Sequence, residues 1–145
     1  MFFKANIDKH CGDSTYKWWN LVGLNKLVPA KKDLTYEEIT AVLKNIQSTE
    51  EFRVYKHFAA DFDEHMINMF GSSYNRPEVF FDKNATPLEK MARAQIWAET
   101  NREDHHVKEF LGLLRPRGQE LSKNELAKDP FYQHYLKVMK QKAGG

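Results

Sequence analysis

The stretch Thr49-Glu50-Glu51-Phe52-Arg53-Val54-Tyr55-Lys56-His57-Phe58-Ala59-Ala60-Asp61-Phe62-Asp63-Glu64-His65-Met66-Ile67-Asn68-Met69-Phe70 decides the fold class. Phe52, Tyr55, Phe58 (or Ala59), Phe62, Met66 and Met69 recur at three- and four-residue steps, the period of one helical face. Thr49 stands where an N-cap belongs, and Glu50 and Glu51 fall in the first turn, where the helix dipole favours acids. Phe70-Gly71 marks the end.

Working outward, helix signals recur on both sides. Ser14 can cap an amphipathic piece over residues 14–24, with Gly23 and Asn25 as its flexible exit and Pro29 as its stop. Lys31-Lys32-Asp33 reads as a solvated turn. Thr35-Tyr36-Glu37-Glu38 is a capping box opening a stripe of Ile39, Val42, Leu43 and Ile46. Beyond a loop over residues 71–77 and an irregular segment to Asn84, Thr86-Pro87-Leu88-Glu89 combines cap, N1 proline and box glutamate. Its stripe is Leu88, Met91, Ala92 and Gln95/Ile96. Residues 99–106 contain no apolar side chain, which predicts a solvated helical span or a break. Val107, Phe110, Leu111 and Leu114 resume the stripe until Arg115-Pro116-Arg117-Gly118 ends it. A box over Ser122 and Glu125 follows, then Asp129-Pro130 and a last stripe of Phe131, Tyr135, Leu136 and Met139. With only 7 valines and 5 isoleucines, the composition also favours helix. The expected fold is all-α, without a transmembrane helix.

Composition narrows the classes further. The 145 residues suit one domain, and Lys+Arg 22 against Asp+Glu 20 leaves +2, too balanced for a dedicated nucleic-acid binder. No run approaches the roughly 18–20 apolar residues of a membrane span. Cys11 is the only cysteine, so an internal disulfide framework and a multi-cysteine metal site are excluded. Met1-Phe2-Phe3-Lys4-Ala5-Asn6-Ile7-Asp8 lacks both the apolar core of a secretory signal and the Arg-rich, acid-poor look of a transit peptide. An import signal, if used, is expected to be internal or already removed. The chain is polar on average (mean hydropathy −0.69) yet has 10 Phe, 6 Tyr and 3 Trp, so its rings serve a core or partners.

Catalytic constellations are thin. His57, Asp61, Glu64 and His65 share one broad face of the central helix, and Glu103-x-x-His106 adds a pair of the kind used in carboxylate-bridged di-iron bundles. Such bundles need two of those pairs, and the sequence has one; a solvated polar face explains the same residues. His105-His106 has no serine or cysteine placed as a nucleophile, and His10-Cys11 lacks a third orienting group. No glycine spacing fits a phosphate-cradling loop. Trp18-Trp19 is more telling: adjacent helical residues point about 100° apart, so both do not fit one narrow stripe. One indole could enter the core while the other meets a partner or a lipid–water interface; core packing alone is the alternative. Lys17, Lys26, Lys31 and Lys32 make this end basic, as an anionic membrane surface would favour.

Three blocks of the sequence resemble a known family in order. Asn20-Leu21-Val22-Gly23-Leu24-Asn25-Lys26-Leu27 with Asp33-Leu34 resembles an Asn-Leu-Ala-Gly-(aromatic)-x-Lys-Leu-Gly-Leu…Asp-Asp stretch. Ala41-Val42-Leu43-Lys44-Asn45-Ile46 and Phe52-Arg53-Val54-Tyr55-Lys56 resemble an Ala-Leu-x-Arg-Leu segment and an (aromatic)-Arg-(Ile/Val)-x-Arg helix, with His65 near a familiar histidine. Phe131-Tyr132-Gln133-His134-Tyr135-Leu136-Lys137 looks like a Tyr-Leu-x-Pro-Tyr-(Leu/Ile)-x-Glu helix. The family is subunit 7, the 14 kDa subunit, of ubiquinol–cytochrome c reductase, respiratory complex III. Val28-Pro29 replaces the family's Gly-Leu, Ile46-Gln47 its Leu-Pro, and His134 a proline; the Leu-Pro after the histidine is missing.

The resemblance implies a single helical domain over 1–145, family-like over 14–70 and 129–140, with 71–128 as a helical insertion. It further implies a structural and assembly subunit without its own active site or cofactor. Such a subunit lies on the matrix side of the mitochondrial inner membrane. It would pack on cytochrome b, cytochrome c1 and other subunits, touch lipid such as cardiolipin at the periphery, and through the insertion reach into a supercomplex. The expected partner-binding residues are Trp18, Trp19, Asn20, Gly23, Lys26, Leu27, Arg53, Tyr132 and Tyr135. Rival expectations are an accessory subunit of another respiratory or ATP-synthase assembly and a free helical adaptor. An enzymatic rival is a metal oxidase using Asp61, Glu64, His65, Glu103 and His106.

Overall fold

Local capping chemistry sets the helix starts in the computed structural model, which describes residues 14–31, 33–70, 84–113 and 121–144. Among them there are seven helices and no strand: α1 (Thr15–Leu21), α2 (Tyr36–Ile46), α3 (Glu50–Phe70), α4 (Pro87–Glu99), α5 (Asp104–Phe110), α6 (Lys123–Ala127) and α7 (Pro130–Gly144). The chain is all-α, and among the described residues no helix is long and apolar enough to cross a membrane. His10, Cys11, Lys32, the loop at 71–77, Leu114 and the stop at 115–118 lie outside the described residues, as does the side chain of Met69.

The caps read from the sequence are in place. Ser14 Oγ accepts from Lys17 N–H, Thr49 Oγ1 from Phe52 N–H, and Thr86 Oγ1 from Glu89 N–H. Thr35 with Glu38 and Ser122 with Glu125 form complete capping boxes, and Asp129 Oδ1 accepts from both Phe131 and Tyr132 N–H. Helix exits depend on left-handed residues. Gly23 has φ 98°, and nothing crowds the position a Cβ would take, so the backbone angle alone favours glycine there. At the end of α4, Asn101 has φ 58°; Arg102 N–H donates to Trp97 O (2.9 Å) and Asn101 N–H to Ala98 O (3.2 Å), a Schellman closure. Gly112 closes α5 in the same manner. The apolar-free stretch 99–106 is therefore a break, and α5 restarts at Asp104.

The chain divides into two compact units, Met1–Glu89 and Lys90–Gly145, with the boundary inside α4. The first unit holds α1, a 3-10 turn (Leu24–Lys26), α2, α3 and the opening of α4. Helix α1 packs on α3. The expected stripes are buried at Ile39, Leu43 and Ile46 on α2, and at Phe52, Tyr55, Phe58, Ala59 and Met66 on α3; Val42 and Phe62 are half-buried. Asp63 is fully buried beside this stripe, which periodicity did not predict.

The second unit holds the described residues from 90 to 128, part of the stretch expected to be an insertion, together with α7. Within this unit, residues 91–98 of α4 are buried except for the half-buried Gln95, and the buried set includes Arg93. Arg93 stacks over Trp97 (5.4 Å to the ring centroid), and Trp97 packs on Phe110. Helix α7 buries Tyr132, His134, Tyr135 and Val138, while Leu136 is exposed and Phe131 and Met139 are half-buried. The expected stripe was thus rotated, because polar ties orient this helix. Tyr132 Oη donates to Asp104 (2.5 Å), Tyr135 Oη to Arg102 O (2.6 Å), and Lys142 Nζ to Ala98 O (2.8 Å) and Asn101 Oδ1 (2.6 Å). His134 Nε2 meets Gln95 Oε1 at 2.6 Å, which places its proton on Nε2.

Burial pushes the His134 imidazole below its ordinary value; Lys137 adds to this and Glu99 opposes it. The unfolded chain then binds a proton near the ordinary value of about 6.5 that the folded unit refuses. Stability is lost as pH falls from 6.5 through the folded value, and above that range the residue contributes no pH dependence. Urea unfolding at pH 7 and pH 5 should show a smaller acid-induced loss in His134→Gln than in the native chain.

Candidate functional site

The first unit is organised around one buried carboxyl. Glu89, in the first turn of α4, has no exposed surface, and its Oε2 accepts from Thr15 Oγ1 on α1 (3.0 Å) and from Tyr55 Oη on α3. The sequence assigned Glu89 to a capping box. The structure instead shows it joining three helices, and a buried polar group of this kind requires such partners. No sequence signal separates this glutamate from its surface neighbours; the hydroxyls that receive it lie 74 and 34 residues away.

Both tryptophans enter the same core. Trp18 is fully buried and stacks on Phe58 (4.5 Å between centroids), and Trp19 meets Tyr55 edge-on (5.1 Å). The expectation that one narrow stripe cannot take both holds only for a helix covered on one side. Here Phe58 and Tyr55 receive the two rings at successive turns of α3, and Trp19 also faces the cavity described below. Neither indole is a surface anchor.

The remaining residues of the first block sit at the exit of α1. Asn20 is exposed, Gly23 half-buried, Lys26 exposed, and Leu27 44% exposed beside Leu21 at 51%. Arg53 lies on the outer face of α3 and pairs with Glu50. Tyr132 and Tyr135 are interior to the second unit, where their rings stack on one another. Burial, with the Asp104 hydrogen bond, pushes the Tyr132 hydroxyl up to about 12. Of the nine expected contact residues, four are therefore core residues of this chain, and four lie exposed: Asn20, Lys26, Leu27 and Arg53.

The exit segment also builds a concavity that the sequence did not reveal. The sequence reads Asn25 as part of an exit, Pro29 as a stop and residues 31–33 as a solvated turn, yet Val28, Pro29 and Leu34 join Trp19, Ile39 and Leu88 around a cavity of about 490 Å³. Lys31 stands in its lining and pairs with Glu38 at 3.4 Å. Glu38 is held below the usual carboxylate range by the Thr35 backbone N–H, with Lys31 adding to this.

Of the titratable residues of the metal alternative, Asp61, Glu64, His65 and Glu103 are exposed and His106 is half-buried. His57 and Asp61 pair at 3.5 Å with most of both side chains in solvent, and Glu64 and His65 are exposed. His106 lies 3.9 Å from Glu103, while His105 pairs with Glu109 at 2.8 Å. Among the described residues, no group of three or more His, Cys, Asp or Glu could hold a metal ion.

Tyr55→Phe and Thr15→Val each remove one hydroxyl from Glu89, and each is expected to cost about 1.5–3 kcal/mol in urea unfolding. Because both act on one oxygen, the double variant should depart from the sum of the single losses by about 0.5 kcal/mol or more. Additive losses would mean that Glu89 does not couple the two helices.

No protein-family model, no curated protein and no solved structure matches this chain.

Proposed function

We propose that the protein is a structural subunit of respiratory complex III, related to its subunit 7. It would have no active site of its own and be held peripherally on the matrix side of the mitochondrial inner membrane against cytochrome b and cytochrome c1. The observation that carries this reading is the ordered three-block resemblance, from Asn20 through Arg53 to Tyr135. The placement of the first block supports it. Its apolar and basic positions divide into those that build the core and those, Leu21, Lys26 and Leu27, that are exposed at or just after the end of α1. Exposed leucines beside a lysine suit a patch that is covered by protein or lipid in an assembly.

The buried residues of the other blocks take a different part. Tyr132 and Tyr135 hold α7 in place, so their contribution to a partner surface is through the helix they orient. Binding of the subunit would run through the α1 exit and the outer face of α3, with anionic lipid meeting Lys26 and its neighbours.

The deciding experiment is gentle solubilisation of membranes containing the tagged protein, followed by native electrophoresis and identification of comigrating chains. Cytochrome b and cytochrome c1 should comigrate; their absence, or the presence of another assembly's subunits instead, rejects the reading. A sharper version uses Leu21→Asp with Leu27→Asp. Both sites are exposed, so stability of the isolated chain should change by no more than about 0.5 kcal/mol per site. Recovery of the protein in the assembly should nevertheless fall at least tenfold.

A further inference from the structure

The cavity of about 490 Å³ at the exit of α1 has the size of a small-molecule site, and its lining combines apolar side chains with Lys31 and the uncharged polar residues Tyr16, Asn25, Asn84 and Thr86. Trp19, Pro29, Leu34, Ile39 and Leu88 give it a carbon wall drawn from α1, the following loop, α2 and the start of α4. Lys31 is the one charged side chain among its described lining residues. Its pairing with Glu38 joins two half-exposed groups (52% and 43%), an exchangeable surface ion pair worth little. An anion entering the cavity competes with Glu38 for Lys31.

We propose that this cavity binds an anionic amphiphile: an alkyl chain lying against Trp19, Ile39 and Leu88, with its carboxylate or phosphate at Lys31. The apolar wall selects the chain through burial of methylene groups. Lysine supplies a point charge suited to either head group. Small polar metabolites would leave the carbon wall uncovered, and a neutral alkane would forgo the lysine. The chemistry is shared by free fatty acids and by the acyl and phosphate parts of an anionic phospholipid. The inference does not rest on the complex III assignment, since the site belongs to the isolated chain.

The test titrates the full chain with terminally brominated dodecanoate and follows tryptophan quenching, since Trp19 lines the cavity. Saturable quenching at one equivalent is expected. Ala30→Phe narrows the cavity from an exposed loop position and should abolish it; Ala85→Phe, elsewhere in the lining, serves if the first variant misfolds. Lys31→Glu should weaken dodecanoate about tenfold and leave brominated dodecanol unchanged, the neutral alcohol binding the native chain about tenfold more weakly than the acid. Absence of saturable quenching, quenching that persists in the folded Phe variants, or equal affinity for acid and alcohol overturns the proposal. Flotation with phosphatidylcholine vesicles, with and without phosphatidylglycerol, identifies the source. Anionic vesicle binding lost in Ala30→Phe assigns a membrane phospholipid, and dodecanoate binding without vesicle binding assigns a free fatty acid; either result upholds the site.

Discussion

A glutamate with no access to water and two hydroxyls aimed at one of its oxygens is the constraint on which the first unit depends. Removing a carboxyl from solvent is costly unless it is hydrogen-bonded, so the buried Glu89 favours arrangements that bring Thr15 and Tyr55 to it. Tryptophan packing adds area and shape to the same helix contact, since Trp18 and Trp19, one turn beyond Thr15 on α1, pack on Phe58 and Tyr55 of α3. Hydrophobic burial is non-directional and would accept small rotations of α1. The hydrogen bonds do not, which makes the polar centre the source of register and the aromatic shell the source of strength.

The second unit applies the same division with different parts. Residues 99–106 offer no apolar side chain, and packing alone would leave them loose. Asn101 ends α4 in a left-handed turn, and α7 then fastens the break through Tyr135, Tyr132 and Lys142, each reaching a backbone carbonyl or an acidic or amide oxygen. Lys142 meets the last carbonyls of α4, where a cation is favoured by the helix dipole.

Most of the helix boundaries were legible because caps are local: Ser14, Thr35, Thr49, Thr86, Ser122 and Asp129 each need only a hydroxyl or carboxylate within three residues of its target. The stripes of α2 and α3 were legible for the same reason. What escaped was decided at a distance. Glu89, Arg93, Asp63 and Lys108 look like surface charges in sequence and are interior, because burial of a charge depends on groups far along the chain. The face of α7 was misjudged where polar ties outvoted apolar spacing. Among the candidate contact residues, the basic character around Lys26 was readable from the residues themselves, whereas the interior placement of both tryptophans required α3 to be in place.

The 74-residue separation between Thr15 and Glu89 also orders events in time. Contacts between distant residues close large loops and form late, while α2 and α3, joined by a tight turn, can assemble early. During synthesis, α1 emerges long before its acceptor exists, with two large indoles waiting in solvent. Helix α1 is therefore the last described element of its unit to become committed, and until Glu89 is made both indoles and the exit segment after them stay open to other contacts.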